Sequence, residues 1–487
     1  MHLKQTLIVL LAMLLLSSST LHAQVANNTA LERFERQLDQ IRRQTRQQAN
    51  TDVPVDQRLL IDYGASLTLS YAAIDDSNFD TRQFNQYQLQ TFARLNLDGA
   101  HNFFVRASST YRDFHPGSDS FDAHGDDWEE FKLDRAVYRF DLGRFIASRG
   151  DQPPTTNLIV EGGRQYIHWF TGLVFSNELD AVQVTVDHDK LSLIGLAGTS
   201  TRRTIDIDSA RPNYDTDTHR NYFAGALTYQ LDEHHKPFIY GLVQRDHNNT
   251  GTYIDSSITG TTTAFDYESW YIGVGSQGSL SDQLLYNVEF VYQGGSGLSS
   301  AFDLPTSTTN NQTNEDISAW ALAMNMAYQF KSDNFTRMDG EIILASGDSD
   351  RFTGSSAYGG NKTGTTDTAF NGFGSMDTGL AFAPDVTNLM MLRVGASTFP
   401  LINTETFKRL QVGTNVYLYG KLNKNGPINE VTDDHTFLGV ETDFYANWRI
   451  TNDLAMALRY GVFFGGDALT NNSHPRNLFF TSFTLAF

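Results

Sequence analysis

The sequence predicts an all-β protein, a transmembrane antiparallel β-barrel of about 18 strands preceded by a short amphipathic N-terminal periplasmic helix. The last ten residues, LFFTSFTLAF, alternate between an apolar face and a small, semi-polar face, as a strand between lipid and an aqueous lumen would. Residues 7–16 form an apolar run that is typical of a secretory signal. No later stretch has the roughly 20 continuous apolar residues of a spanning helix, so a membrane location would require a closed barrel.

The chain divides into three predicted segments: a signal peptide at 1–23, a periplasmic amphipathic helix with its tether at 24–57, and the transmembrane β-barrel at 58–487. Lys4 before the apolar run and Ala23 after it indicate cleavage before Gln24. The apolar residues of the helix follow an a/d spacing, but two heptads are marginal for a coiled coil. A solvated arm and an oligomerisation device therefore both stay open for this helix.

Alternating segments punctuated by Gly, Asn and Asp set the strand count. We predict strands near 58–74, 84–98, 102–114, 131–143, 157–167, 179–187, 190–201, 220–231, 236–247, 267–279, 283–294, 316–330, 335–347, 387–398, 405–420, 436–449, 453–465 and 476–487. Short connections are predicted as periplasmic turns and long polar ones as extracellular loops. The connection at 348–386 is too long for a plain turn and could fold into the lumen as a constriction.

Composition limits the cellular setting and the partners. The chain has no Cys, which excludes disulfides and thiolate metal sites. Without the predicted signal, 35 basic residues stand against 56 acidic ones, a formal charge of −21 with no clustered basic stretch, which argues against nucleic acid. The final Phe487 resembles the assembly signal of bacterial outer-membrane barrels. It indicates the barrel-assembly machinery as a partner, a Gram-negative outer-membrane location, and contact with membrane lipid and lipopolysaccharide.

Arginines in the predicted strands point to the lumen. Arg94, for example, shares a face with Gln88 and Gln90 and lies opposite Leu89 and Leu95. Exposing an Arg to lipid at mid-bilayer would cost about 2–4 kcal/mol, which supports an inward assignment. The candidate lumen residues from strand phase are Arg94, Arg106, Arg135, Arg139, Arg337, Glu341, Arg393, Arg409, Arg449 and Arg459.

These arginines allow two interpretations. As a set they would form an electropositive path for anions, because a guanidinium binds carboxylates bidentately and keeps its proton. Alternatively they pair with acidic wall residues and stiffen the barrel. The acidic residues considered for that role are Asp134, Asp141, Asp339, Glu341, Glu441 and Asp443.

Several short tags resemble the alginate export family of outer-membrane barrels. They read GRQ at 163–165, NELDAV at 177–182, ASGD at 345–348, TAFNGFG at 368–374 and YGVFFGG at 460–466. The resemblance implies an eighteen-stranded monomeric barrel with an Arg-lined lumen that passes a linear polyuronate outward. It also implies path roles for Arg164 and Asp180, which lie on two of the tags. The N-terminal arm and the heavily acidic loops depart from the family pattern. Those loops could bind divalent cations, although no cofactor is expected.

Four functions compete at this stage. The first is a channel for an anionic polysaccharide or its oligomers, driven by periplasmic export partners because a barrel has no energy source of its own. The second is a diffusion porin for small anions or sugars, in which the arm would help to form a trimer. An outer-membrane hydrolase is disfavoured, because the His residues are scattered and no G-x-S-x-G or H-E-x-x-H motif occurs. The fourth, an adhesin or structural barrel, predicts a plugged lumen.

Overall fold

The computed structural model describes residues 59–75, 79–115, 126–208, 211, 213–214, 216–248, 253–255, 261–303, 308–351, 354, 360–430 and 432–487. Eighteen of the strands in these residues form one closed antiparallel sheet, so the predicted β-barrel and its strand number are confirmed. The predicted signal peptide and N-terminal helix lie outside the described residues.

The barrel strands follow one another in chain order, and each pairs with its neighbours. Their bounds are β1 (Leu59–Asp75), β2 (Thr81–Leu97), β3 (His101–Phe114), β4 (Asp127–Asp141), β5 (Thr156–His168), β6 (Ser176–His188), β7 (Leu191–Ser200), β8 (Arg220–Tyr229), β9 (His235–Asp246), β12 (Tyr267–Ser281), β13 (Leu284–Leu298), β16 (Asn314–Gln329), β17 (Arg337–Ala345), β18 (Leu389–Thr398), β19 (Leu410–Lys421), β20 (Phe437–Arg449), β21 (Leu454–Gly465) and β22 (Arg476–Ala486). Two small hairpins occupy long loops: β10 (Tyr253–Asp255) with β11 (Thr261–Thr263), and β14 (Phe302–Asp303) with β15 (Thr308–Thr309).

The first and last strands close the barrel. β1 pairs with β22 from Ser66–Ala486 to Ile74–Leu478. Reciprocal backbone hydrogen bonds join Ala65 and Phe487, with N···O distances of 2.8 and 2.9 Å. Closure leaves no unpaired sheet edge between these strands, which a membrane-spanning sheet requires because lipid cannot satisfy backbone groups.

The two faces of the wall differ as the alternation predicts. On β18, Met390, Leu392 and Val394 are each more than 40% exposed, whereas Met391 and Arg393 are buried. Successive side chains of a strand point to opposite faces, so the exposed apolar side chains face outward and the buried, often polar ones face the lumen. Cross-strand neighbours share a face, so the pairing register extends this assignment around the barrel.

Besides the two loop hairpins, the structure departs from the predicted elements at the start of β19 and after β4. β19 begins at Leu410 rather than near 405, because consecutive turns, with Thr404 N donating to Leu401 O and Phe407 N to Thr404 O, precede it. A short helix, α1 (Leu142–Ser148), follows β4 and was not predicted. Asp141 caps it by accepting the backbone N–H of Arg144 at 3.1 Å. Within the described residues, no helix combines the length and apolarity needed to cross a membrane.

Candidate functional site: a constricted lumen

The connection between β17 and β18, residues 346–388, enters the barrel, and we call it the long lumen loop. Its described parts are 346–351, 354 and 360–388. Asp367 forms a parallel bridge with Ile317 of β16, and Phe373 forms one with Phe175, just before β6. Because β6 and β16 lie on different sides of the barrel, the loop crosses the lumen.

Inward-facing wall residues bind the backbone of this loop. Glu441 of β20 accepts the N–H groups of Leu380, Ala381 and Phe382 at 2.5, 2.7 and 2.8 Å. Tyr419 donates its hydroxyl to Thr378 O at 2.8 Å. Three N–H donors on one buried carboxylate hold this part of the loop in a single position, because each would otherwise lose its hydrogen bond.

A second part of the wall binds the middle of the loop in the same way. Gln293 of β13 accepts the N–H of Asn371 at 2.9 Å, and Tyr271 of β12 donates its hydroxyl to Asn371 O at 2.5 Å. Gln293 and Tyr271 are fully buried and face inward. The loop is therefore fastened to two separate parts of the wall, one at β12 and β13 and one at β19 and β20.

A second segment, residues 169–175 between β5 and β6, also folds inward, and we call it the short lumen loop. Glu289 of β13 accepts both the N–H and the hydroxyl of Thr171, at 2.9 and 2.5 Å. Tyr240 of β9 also donates to Glu289. The two lumen loops meet where Ser375 N donates to Gly172 O at 3.0 Å. Together they narrow the channel.

Aromatic side chains fill the space around the joined loops. Phe382 stacks on Phe463 with ring centroids 4.2 Å apart and an interplanar angle of 4°. Phe373 packs edge-on against Tyr222 at 5.3 Å, and Phe170 stacks on Phe238 at 3.8 Å. These contacts bury apolar loop side chains against the inner wall and stabilise the constriction through the hydrophobic effect.

Two carboxyl groups of the long lumen loop have shifted pKa values. Burial raises the pKa of Asp385 to about 6. Burial also raises the pKa of Asp367, although the Arg351 guanidinium, 2.5 Å from its carboxylate, opposes that shift. Asp367 is thus paired within the loop, whereas Asp385 is stabilised in its neutral form.

Arg393 is bound by two carboxylates of the barrel wall. Its Nε donates to Glu341 Oε2 at 2.9 Å and its Nη1 to Asp339 Oδ2 at 2.5 Å. All three side chains are about nine-tenths buried. This cluster is a stiffening lattice of the kind considered from the sequence, and in it two carboxylates balance the charge of Arg393.

A second charged group lies where β4 and β5 stop pairing. These strands pair only up to Ala136–Arg164, and Gly163 adopts a positive φ of 123° there. Arg164 binds Asp180 through two parallel hydrogen bonds of 2.8 Å, and its Nη1 donates to Leu133 O. Leu179 and Ala181 on either side of Asp180 are buried, so the Arg164–Asp180 pair lies on the opposite strand face from them.

Arg106 and Arg135 are cross-strand neighbours close to that group. Arg106 is 5% exposed and lies 3.5 Å from Asp134, so it belongs to the wall rather than to an open surface. Arg135 lies over the ring of Tyr166, 5.7 Å from its centroid. Neither side chain therefore forms an open, positively charged surface.

The remaining predicted arginines gather at the short-turn end of the barrel, on the side formed by β17 to β4. Arg94 and Arg139 lie within three residues of the ends of β2 and β4, and Arg337 begins β17. Arg449 ends β20, and Arg459 is the sixth residue of β21. Arg409 precedes β19 in an exposed turn rather than lying on the predicted strand, and it donates to Asn452 at 2.8 Å.

The residues that hold the lumen loops were not predicted from the sequence. Glu289 and Gln293 were not singled out, and Glu441 was considered only as a partner for arginine. Their inward phase was visible on the alternating strands, but nothing local indicates that a loop far along the chain supplies the donors. Within the described residues, no group of three or more His, Cys, Asp or Glu could hold a metal ion.

The comparison with known families decides the identity. A family model described as alginate export matches residues 176–478. The chain belongs to the alginate export family. Four of the five tags fall inside the matched range, and only the one at 163–165 lies outside it. Membership in this family makes the chain an outer-membrane channel protein, and the family is one of channels rather than enzymes.

Solved structures of similar shape include several Pseudomonas aeruginosa outer-membrane proteins. OprD shares 11% identity over 88% of this chain and 93% of its own, with a TM-score of 0.49. OpdK with vanillate shares 11% identity over 88% and 99%, with a TM-score of 0.49. OccK5 (OpdH) shares 11% identity over 88% and 98%, with a TM-score of 0.47. No curated protein matches the chain.

Proposed function

We propose that this alginate export family member is a passive channel for a linear anionic polysaccharide, such as a polyuronate, or its oligomers. One observation carries the proposal: arginines of the inner wall at the short-turn end keep guanidinium surface exposed. The Arg139 side chain is 33% exposed beside Glu161, and that of Arg337 is 48% exposed beside Asp339. Guanidinium groups with accessible donors bind carboxylates that pass them.

The arginines then divide into two classes by accessibility. Arg106 and Arg393 are at most 10% exposed and are held by wall carboxylates, so they set the shape and stiffness of the lumen. Arg139, Arg337 and Arg459 belong to the path. Arg164 and Asp180 neutralise each other on the strand face opposite buried Leu179 and Ala181, so we assign them to the wall where β4 and β5 separate and not to the path.

The two lumen loops supply the size filter. A thin, linear polymer can thread past a constriction that excludes folded or branched molecules of the same charge. With the predicted signal peptide removed, the short turns would face the periplasm, so the arginines would form a periplasmic vestibule. Direction would then come from periplasmic partners or from polymer synthesis.

Ion selectivity in planar bilayers tests this function. We expect the purified barrel to be anion-selective and its current to be blocked by short oligouronates. Replacing Arg139, Arg337 and Arg459 together by Gln should reduce both the anion selectivity and the block, because it removes three positive charges from the lumen.

Arg245→Gln is the matched control. Arg245 shares the outward face of β9 with Ile239 and Val243 and pairs with Glu268, so its loss should leave selectivity unchanged. A cation-selective pore, or an equal effect of Arg245→Gln, would contradict the proposal.

The constriction favours one second candidate, a diffusion porin for small anions. Phe382, Phe373 and Phe170 pack against inner-wall rings around the joined loops, and a small solute needs less space than a polymer. In this case single-channel current would respond to small anions but would be indifferent to oligouronates.

A further inference from the structure

A continuous chain of side-chain hydrogen bonds crosses four adjacent strands of the inner wall. Gln411 Nε2 of β19 donates to Ser397 Oγ of β18 at 3.4 Å. Asn447 Nδ2 of β20 donates to Gln411 Oε1 at 3.2 Å. Arg459 Nη2 of β21 then donates to Asn447 Oδ1 at 2.7 Å. We call these four residues the polar belt.

The polar belt faces the lumen at the short-turn end. Gln411 alternates in phase with Asn415 and Tyr417, which are buried, and the outward Val416 and Leu418 are exposed. Neighbouring strands lie about 4.8 Å apart, so the three steps from Ser397 to Arg459 give a band about 14 Å long. Such a band is long enough to run beside several atoms of an extended ligand.

An aromatic ring lies directly beside the polar belt. Tyr445 precedes Asn447 by two residues on β20, so both face the lumen. Its cross-strand neighbours are Gly413 on one side and Arg459 on the other. A methyl group added at Gly413 would overlap the Tyr445 ring, so the outer part of the ring lies over this glycine. The Arg459 guanidinium carbon is 5.4 Å from the ring centroid.

Arginine also stands at the opposite end of the polar belt. Arg337 of β17 is the register partner of Ser397, and its side chain is 48% exposed. The band is thus a run of neutral hydroxyl and amide groups bounded by one guanidinium at each end, with a flat phenol ring above it.

We infer that the polar belt and Tyr445 form a saccharide-binding subsite that recognises the hydroxyl groups and ring face of a hexuronate, not only its charge. Amides and hydroxyls both donate and accept, as sugar hydroxyls do. A flat aromatic ring offers apolar area to the C–H face of a pyranose. Arg337 and Arg459 bind the carboxylates at its ends. This inference rests on the proposed polysaccharide channel and names the groups by which the sugar is recognised.

A purely structural role for the polar belt makes a different prediction. Side chains that only join neighbouring strands would change the thermal stability of the barrel when truncated, with equal effects on every permeating anion. A saccharide subsite instead changes the response to sugars alone. The useful readout is therefore the ratio between block by a sugar anion and block by a non-sugar anion.

The test measures current block of the full-length barrel by a tri-hexuronate and by citrate, which carry comparable charge. We expect Tyr445→Ala and Asn447→Ala each to raise the half-blocking concentration of the tri-hexuronate about 2-fold to 10-fold, as expected for the loss of one neutral contact. The half-blocking concentration of citrate should not change. Tyr445→Phe, which keeps the ring, should behave as the unmodified protein, whereas Arg337→Gln should weaken both blocks.

Gln183→Ala is the matched control, because Gln183 is an inward amide of β6, far around the barrel, where it donates to Glu161. If Tyr445→Ala does not assemble, Asn447→Ala and Gln411→Ala give the same comparison. Block by tri-hexuronate that is unchanged in these variants overturns the subsite and leaves the polysaccharide channel intact. A lack of tri-hexuronate block in the unmodified protein would overturn the channel proposal and the subsite together.

Discussion

Glu441 on the inner wall accepts the backbone N–H of Leu380 in the long lumen loop at 2.5 Å. The same carboxylate also binds the next two N–H groups, so one side chain determines where this part of the loop lies. The size of the opening therefore depends on a wall residue that was expected to balance arginine.

We predict that Glu441→Gln widens the pore. The amide keeps the shape of the side chain, but it places an NH2 group against N–H donors, and each unsatisfied donor costs about 1–3 kcal/mol. Single-channel conductance should rise and become noisier as the loop moves. Glu405→Gln makes the same chemical change in an exposed turn, where Glu405 pairs with Lys408, and should leave conductance unchanged. A conductance equal in both variants would contradict the anchoring role.

We predict that the constriction loosens as the pH rises through about 6. The pKa of Asp385 in the folded loop is about 6, above the ordinary value of 3.8, so folding favours the neutral form. This contribution to stability is complete below pH 4 and is lost as the pH rises through 6. Conductance should increase over the same interval, and Asp385→Asn should remove the change. Retention of the full pH response in Asp385→Asn would assign the effect to another group.

We predict opposite consequences for two arginines on neighbouring strands. Arg393→Gln leaves Glu341 as a buried carboxylate without its cation and Asp339 with only Arg337, 4.0 Å away, and should destabilise the barrel by about 3–5 kcal/mol. Arg337→Gln removes a half-exposed group and should lower anion selectivity with little loss of stability. Heat-induced unfolding in detergent measures the first effect and reversal potentials measure the second. Equal unfolding temperatures would show that Arg393 is not part of the supporting wall.

We predict that Gly163→Ala disrupts the barrel where β4 and β5 part. Gly163 has a φ of 123°, and a Cβ there would overlap the carbonyl oxygen of Ala136. Residues other than glycine rarely adopt this backbone conformation. It costs them of order 1–3 kcal/mol, before the overlap is counted. The yield of folded barrel and its unfolding temperature should both fall. Gly162→Ala is the control, because its added methyl would meet only Val182, at 3.8 Å.

The barrel could be predicted from the sequence because its signals are local. Outward side chains such as Leu392 and Val394 must be apolar for lipid, and inward ones alternate with them, so a period of two marks each strand. The start of β19 was wrong by five residues, since residues 404–407 are also compatible with a strand and only their turn hydrogen bonds distinguish the two.

From the sequence, the constriction could be predicted only as an unusually long connection at 348–386. Its position depends on Glu441, Gln293 and Tyr271, each on a different strand and far from the loop residues they bind. The pairing of Arg393 with Asp339 and Glu341 likewise depends on the register of β17 with β18. Strand phase predicts which face a side chain occupies, but the level at which it lies follows only from the stagger between strands.

The long lumen loop leaves the wall at Ala345 and returns to it at Leu389, on two strands that pair with each other. Both ends are thus tethered to the same part of the rim, and the obstruction cannot be expelled as a separate plug could. In the proposed channel, opening would displace the middle of the loop while its ends stay in place. Closing would then require no second protein, because the loop remains attached next to the hydrogen-bonding groups that hold it.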